Sequence, residues 1–227
     1  MPRKKTASFQ KTLERIEFDI LSGFYSPRER LVESELMKRY RTTRGTVRRA
    51  LKELQFKHMI EHFPNRGAIV SDLSFKEAED LYATRLLLEG HAASLVAEKI
   101  DKKVLAELAD LETAFSQAVV RNDLREIMNA NKIFHQRLFQ ASESSVLAGL
   151  IEQVRVRCHL WQHYIVGHPD RLSKTVEEHR AMLKALKKRD PEGFKALVQN
   201  HVTSAFAAYR EDSITFRKER QDVRPII

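Results

Sequence analysis

Two sets of residues in this chain have types and spacings that could do chemistry. Arg44, Arg48 and Lys52 recur at steps of four on a segment where Val47, Ala50, Leu51 and Leu54 recur at the apolar helical spacing. Steps of three and four keep side chains on one face of a helix, so a basic stripe lies opposite an apolar one. Arginine on such a stripe is suited to bidentate hydrogen bonding with guanine O6 and N7 in the major groove. The second set is Arg85, Asn131, His135, His179 and His201, polar residues on otherwise apolar helical segments. Asn131 and His135 are four apart in Asn-Lys-Ile-Phe-His and therefore leave one helical face together. Imidazoles and one oxygen ligand converging inside a helical bundle could hold a divalent ion such as zinc, nickel or manganese. Taken singly, each histidine is more often a satisfied core or surface residue. His159 and His163 share the same spacing of four and read as cavity lining or surface. The single cysteine, Cys158, can form no intramolecular disulfide and reads as a buried structural thiol.

The elements that must position the first set lie at the N-terminus. Lys11 to Ser22 reads as a helix with Leu13, Ile16, Ile20 and Leu21 on one face, ended by Gly23. After a loop with Pro27, a short helix runs from Glu33 to Tyr40, then the turn Arg41-Thr42, then a third helix capped by the Thr43 hydroxyl. Two short helices around a tight turn make a helix-turn-helix, whose second helix enters the major groove by its N-terminal residues. Met59-Ile60-Glu61-His62-Phe63 and Ala68-Ile69-Val70-Ser71 read as two short strands joined by Pro64-Asn65-Arg66-Gly67. This hairpin is a wing. Asn65 and Arg66 at its tip could reach phosphate or the minor groove, with Gly67 permitting close backbone approach.

The second set lies on long helical stretches that begin near Phe75. Breaks are expected near Asp101, Asn122-Asp123, Ser142-Glu143-Ser144, Gly167-His168-Pro169-Asp170 and Asp190-Pro191, giving about six helices that bury one face in a bundle. Fraying is expected from Arg217 to Ile227. The fold class is therefore mainly α, with a winged helix-turn-helix over residues 1–73 and an all-helical domain over residues 74–227.

Charge separates the same two regions. Of the 40 Lys and Arg and 31 Asp and Glu, 16 and 9 fall in residues 1–72, leaving 24 and 22 for the remainder. The excess of seven in the first third suits a polyanion such as DNA, because Lys and Arg replace counterions condensed on phosphate. No apolar run is long enough to span a bilayer and no apolar stretch follows the basic first residues, so neither a membrane span nor a secretory signal is expected. Cytoplasm is the default compartment.

Ile20 and Gly23, Pro27, Leu31-Val32-Glu33, Leu36-Met37, Thr43-Arg44-Gly45-Thr46-Val47-Arg48-Arg49-Ala50-Leu51 and Arg66-Gly67 occur in an order that resembles the GntR family of bacterial regulators. The likeness is to the FadR-like branch with a helical FCD effector domain, and it spans nearly the whole chain. Departures are Arg28, Arg41 and His58 where turn glycines are usual, Thr46 in place of Pro and Arg49 in place of Glu. The resemblance implies DNA contacts from Thr43, Arg44, Thr46, Arg48, Arg66 and Gly67. It also implies a metal site at Asn131, His135, His179 and His201, with Asn131 in place of the more charged Asp. Arg85 takes the place of an arginine facing the effector cavity, where it could clamp a carboxylate. Its alternative is a surface pair with Glu89, four residues on.

These readings lead to a regulator that binds a palindromic double-stranded operator as a homodimer and responds to a small carboxylate. A metal-dependent enzyme on a helical bundle is the alternative, but no His-Glu-x-x-His or nucleophile constellation is present and no residue is assigned a catalytic role. A nonspecific nucleic-acid binder is a third possibility, which would leave the helical domain unexplained.

Overall fold

A computed structural model describes residues 8–222 apart from 65, 159 and 161–168, with side chains through Glu211. Asn65, His159, His163 and the last residues of the expected frayed end, 223–227, lie outside the described residues. The chain divides into two compact units: the first runs through Glu77 and also takes in the segment from Val156, at the end of the helix over 145–158, and the second takes Ala78 to Arg155 and the helices from Pro169 onward.

The first unit is built on α1 (Phe9–Leu21), α2 (Glu33–Tyr40) and α3 (Arg44–Phe56) with three short strands, β1 (Arg30–Leu31), β2 (Ile60–Phe63) and β3 (Gly67–Val70). α1 starts where Ser8 Oγ accepts from the Lys11 N–H, and it buries Leu13, Ile16, Ile20 and Leu21, the face expected from their spacing. α3 starts where Thr43 Oγ1 accepts from the Thr46 N–H at 3.2 Å, and Val47, Ala50, Leu51 and Leu54 are buried. Each of the Val, Leu and Ile side chains contributes about 1.5–3 kcal/mol on leaving water. The strands form one antiparallel sheet in the order β1-β3-β2, with Arg30 opposite Ile69 and Phe63 opposite Gly67. The expected hairpin is present. β1 was not foreseen, because two residues are too few to show an alternating pattern.

Three turns of this unit place non-glycine residues in the left-handed region: Arg28 at φ 66°, Arg41 at φ 50° and His58 at φ 57°. These are the positions where turn glycines are replaced. The backbone keeps the conformation that glycine adopts freely, at a steric cost to each side chain.

The second unit is all helical: α4 (Phe75–Lys99), α5 (Lys102–Val120), α6 (Leu124–Gln140), α7 (Ser145–Cys158), α8 (Pro169–Lys188) and α9 (Pro191–Asp222). Asp101 and Asp123 cap α5 and α6 by accepting from the Val104 and Glu126 N–H groups at 2.7 and 3.1 Å. Asn122, Glu143 and Arg189 take left-handed conformations at helix ends. The expected breaks at Asp101, Asn122-Asp123 and Ser142 to Ser144 fall between helices; at the last two breaks Pro169 opens α8 and Pro191 opens α9. Helix persists through Asp222, which corrects the expected fraying from Arg217. The segment from Arg217 to Asp222 holds strong helix formers and neither Gly nor Pro, so nothing local stops it.

Phe134, Leu108, Leu138, Ile151, Met182, Leu186, Phe194 and Val198 form the main core of this unit, with Ala92 and Ala93 allowing close approach of α4. A second cluster gathers Phe115, Ile127, Leu172 and Val176. Cys158 is buried and forms no disulfide. Among the described residues no helix is long and apolar enough to cross a membrane.

Candidate DNA-reading face and candidate metal centre

The N-terminal turn of α3 is open to solvent. Thr43, Arg44 and Arg48 are exposed, Thr46 is half-buried, and the Thr43 and Thr46 hydroxyl oxygens lie 3.0 Å apart. Arg48 Nε donates to Glu33 Oε1 at 2.8 Å, while Arg44 Nε lies 3.6 Å from Glu33 Oε2. Both guanidinium side chains remain 63% exposed, so each can leave this carboxylate. Sequence reasoning noted Glu33 as part of a motif but gave it no role; its place as the first residue of α2, before the basic stripe of α3, was the signal available. Arg49 faces elsewhere, with its guanidinium stacked 3.9 Å from the centre of the Phe9 ring. At the wing, Arg66 is exposed and Gly67 is half-buried at φ +77°, a conformation that a side chain would strain.

In the second unit the structure brings His135, His179 and His201 together from α6, α8 and α9. One ligand nitrogen from each lies within 4.8 Å of the others, and all three residues are buried. His135 Nε2 and His179 Nε2 are 3.2 Å apart. Phe134 stacks on the His179 ring at a centroid distance of 4.2 Å, fixing its plane. His201 Nδ1 donates to Glu178 Oε2 at 2.6 Å; a carboxylate can only accept, so this bond leaves Nε2 as the free ligand nitrogen. A carboxylate behind an imidazole in this way orients a metal ligand and raises its basicity.

Asn131 stands one helical turn before His135, and its buried Oδ1 has no hydrogen-bond partner among the described residues. The same is true of Nδ1 on His135 and on His179. Burial, reinforced by Arg155, holds His135 and His179 well below the ordinary histidine value. Burial also lowers His201, against the opposing pull of Glu178. Neutral imidazole is the ligating form, so three neutral rings, with the orphaned amide oxygen of Asn131 one turn from His135 on the same helix, fit a divalent ion. Histidine nitrogens with a neutral amide oxygen suit zinc, nickel or manganese better than calcium or magnesium.

Arg85 is 5% exposed, and its Nε donates to Glu89 Oε1 at 2.6 Å. The pair expected from the four-residue spacing forms, but in the interior and not on the helix surface, which corrects that alternative. Arg155 joins it from α7, with Nη1 3.4 Å from both Glu89 oxygens. Burial alone would raise the Glu89 carboxyl; the two guanidinium groups outweigh it and keep Glu89 ionised. Glu178 is likewise raised by burial but held down to about 2 by His201 and by Arg171, whose Nη1 donates to Glu178 Oε1 at 3.2 Å. Glu89 was named from sequence only as a surface partner of Arg85, and Arg155, Arg171 and Glu178 were missed. Only the adjacency of Glu178 to His179 could have drawn notice.

Comparison with known proteins follows the same division. Residues 10–70 match bacterial regulatory proteins of the gntR family, and residues 80–204 match the FCD domain. The chain is 26% identical over 193 residues to the HTH-type transcriptional regulator McbR of Escherichia coli strain K12, covering 82% of this chain and 87% of that protein. It is 25% identical over 214 residues to the galactonate operon transcriptional repressor of the same strain, covering 85% and 92%. The solved structure of E. coli McbR/YncC aligns with a TM-score of 0.78 at 25% identity, over 91% of this chain and 99% of that one. A transcriptional regulator from Rhodococcus sp. RHA1 shares the fold, with a TM-score of 0.73 at 20% identity over 89% and 97%.

Proposed function

Because the chain belongs to the GntR family of bacterial transcriptional regulators, with an FCD domain in its C-terminal part, we propose that it reads a palindromic operator as a homodimer under the control of a small carboxylate effector. The reading is supported above all by one observation. The helix that carries an exposed Thr43, Arg44 and Arg48 belongs to one compact unit, whereas a buried, unsatisfied polar cluster belongs to the other. One unit is dressed for a polyanion and the other for a small ligand.

Thr43, Arg44, Thr46 and Arg48 would meet the major groove, and Arg66 with the Gly67 backbone would meet the backbone or minor groove from the wing. Asn131, His135, His179 and His201 would hold the divalent ion, with Arg85 beside them for the effector. A bound ion would supply open coordination positions for carboxylate oxygens. Glu178 holds the His201 ring in the tautomer that presents Nε2, and Phe134 holds the His179 ring in place. One relative is named for the galactonate operon, and galactonate is itself a carboxylate, the ligand class that suits this cluster.

Genome-wide mapping of bound DNA with wild type and with Arg44→Ala tests the DNA reading. A shared two-fold motif that the variant no longer enriches is the expected result; fragments without a common motif would overturn it. Elemental analysis of protein purified without chelator or affinity tag tests the metal reading. The protein should contain a divalent ion, and His135→Ala and His201→Ala should lower both metal content and melting temperature, since an ion bound only by the folded state stabilises it. If wild type takes up no ion on titration and melts alike with or without chelator, the four residues are a polar cavity lining.

A further inference from the structure

Arg44 and Arg48 share one acid. Arg48 Nε donates to Glu33 Oε1 at 2.8 Å, and Arg44 Nε faces the other oxygen, Oε2, at 3.6 Å. Glu33 is the first residue of α2, so this carboxylate comes from a different helix and stands on the face assigned above to the major groove. Its side chain is 33% exposed against 63% for each arginine, which makes it the more enclosed partner. An ion pair this open adds little to the stability of the fold. Its interest lies in what the acid meets once the arginines turn to DNA.

An arginine that leaves Glu33 for guanine takes the acceptors O6 and N7. The exchange leaves behind a carboxylate, which can only accept, facing a polyanion. Without a new donor it repels phosphate and opposes binding. The donors that base edges show in the major groove are the amines at cytosine N4 and adenine N6. A carboxylate brought to adenine also meets the N7 acceptor beside that amine, whereas cytosine shows its amine without an acceptor of its own. A G·C pair therefore offers acceptors and a donor side by side. That is the complement of the donor and acceptor that Arg48 and Glu33 present to each other in the free protein.

We propose that Glu33 is a base-reading residue: when Arg48 turns to a guanine, the Glu33 carboxylate accepts from the N4 amine of a cytosine in the same base pair or the adjoining one. The proposal rests on the DNA reading above and adds to its arginines and threonines a side chain that selects by accepting. The ion pair of the free protein opens into two base contacts, and each of its members exchanges one partner for another. Phosphate carries no donor for the acid, so a sequence without the cytosine leaves Glu33 unsatisfied.

Selection from a random duplex library by the full chain, with wild type, Arg48→Ala and Glu33→Gln, tests this. Wild type should enrich a motif, and Arg48→Ala should lose a guanine from it. Glu33→Gln should lower the preference for cytosine threefold or more at that base pair or the next and raise adenine there, because an amide donates to adenine N7 and accepts from N6. Melting curves establish that both variants are folded. An unchanged preference for cytosine in Glu33→Gln would overturn the proposal. Loss of the guanine in Glu33→Gln with no gain of adenine would also overturn it, reducing Glu33 to a residue that positions Arg48. Enrichment of no motif by wild type would overturn the operator reading together with this proposal.

Discussion

Arg48 meets a carboxylate before it meets DNA. Glu33 holds its guanidinium 2.8 Å away in the free protein, so contact with a base requires an exchange of partners. Arg48→Ala should weaken operator binding by roughly 1–3 kcal/mol and random-sequence binding less, measured side by side in gel-shift titrations at one salt concentration. Equal losses on both would reduce Arg48 to a phosphate contact. The histidines carry a pH prediction. Since burial and the nearby guanidinium groups depress His135 and His179, the folded chain takes up their protons only in stronger acid than the unfolded chain does. Below about pH 6.5 the unfolded state therefore binds more protons, and the stability of metal-free protein should decline from there as pH falls. Glu178, held down to about 2 from 4.5, extends the loss through that lower window as its carboxylate is neutralised. Melting temperature against pH checks this: His179→Gln, with one titrating ring removed, should flatten the slope between about pH 6.5 and 5. An unchanged slope would show that His179 is charged or solvated in the folded state.

The turns around α2 and α3 show strain at the level of the element. Arg41 closes α2 in a left-handed conformation at φ 50°, and Arg41→Gly should stabilise the fold by about 1 kcal/mol in urea denaturation. Thr43→Ala, two residues on, should cost about 1 kcal/mol by removing the cap of α3. If the glycine variant is no more stable than wild type, the side chain offsets its own backbone cost by a contact that outlasts the turn. Most helices were legible beforehand because their signals are local. Apolar positions at three and four gave the buried faces of α1 and α3, Thr43 announced the cap of α3, and Asp101 and Asn122-Asp123 marked breaks that proved to hold the caps of α5 and α6. β1 and the far end of α9 were not legible, the one for want of length and the other because a charged tail and a charged helix have the same composition. The site divides in the same way. His135, His179 and His201 stood out as polar residues on apolar helical segments and were joined as one site by the family resemblance, whereas nothing in spacing separates buried Glu178 from exposed Glu177, or Arg171 from the other charges of α8. Their burial is decided by which neighbouring helix covers them.

For the whole molecule, a two-fold operator asks for a two-fold protein. We place the self-association in residues 74–227, and analytical ultracentrifugation of that segment alone at micromolar concentration should give a dimer. A monodisperse monomer would move the interface to the winged unit. One further property belongs to the shape of a single element. α9 is 32 residues long, which makes it a rod of about 48 Å, and His201 sits in its first half with Asp222 at residue 21 beyond it. Whatever draws the His201 ring toward its neighbours acts near one end of this rod. A tilt of only about 5° about His201 carries the far end through about 3 Å, given a rise of about 1.5 Å per residue. The helix would therefore gear a small adjustment at an imidazole into a displacement large enough for a distance ruler, and one spin label at its distal end paired with a second on another helix of the same unit would read out the occupancy of a site some 30 Å away.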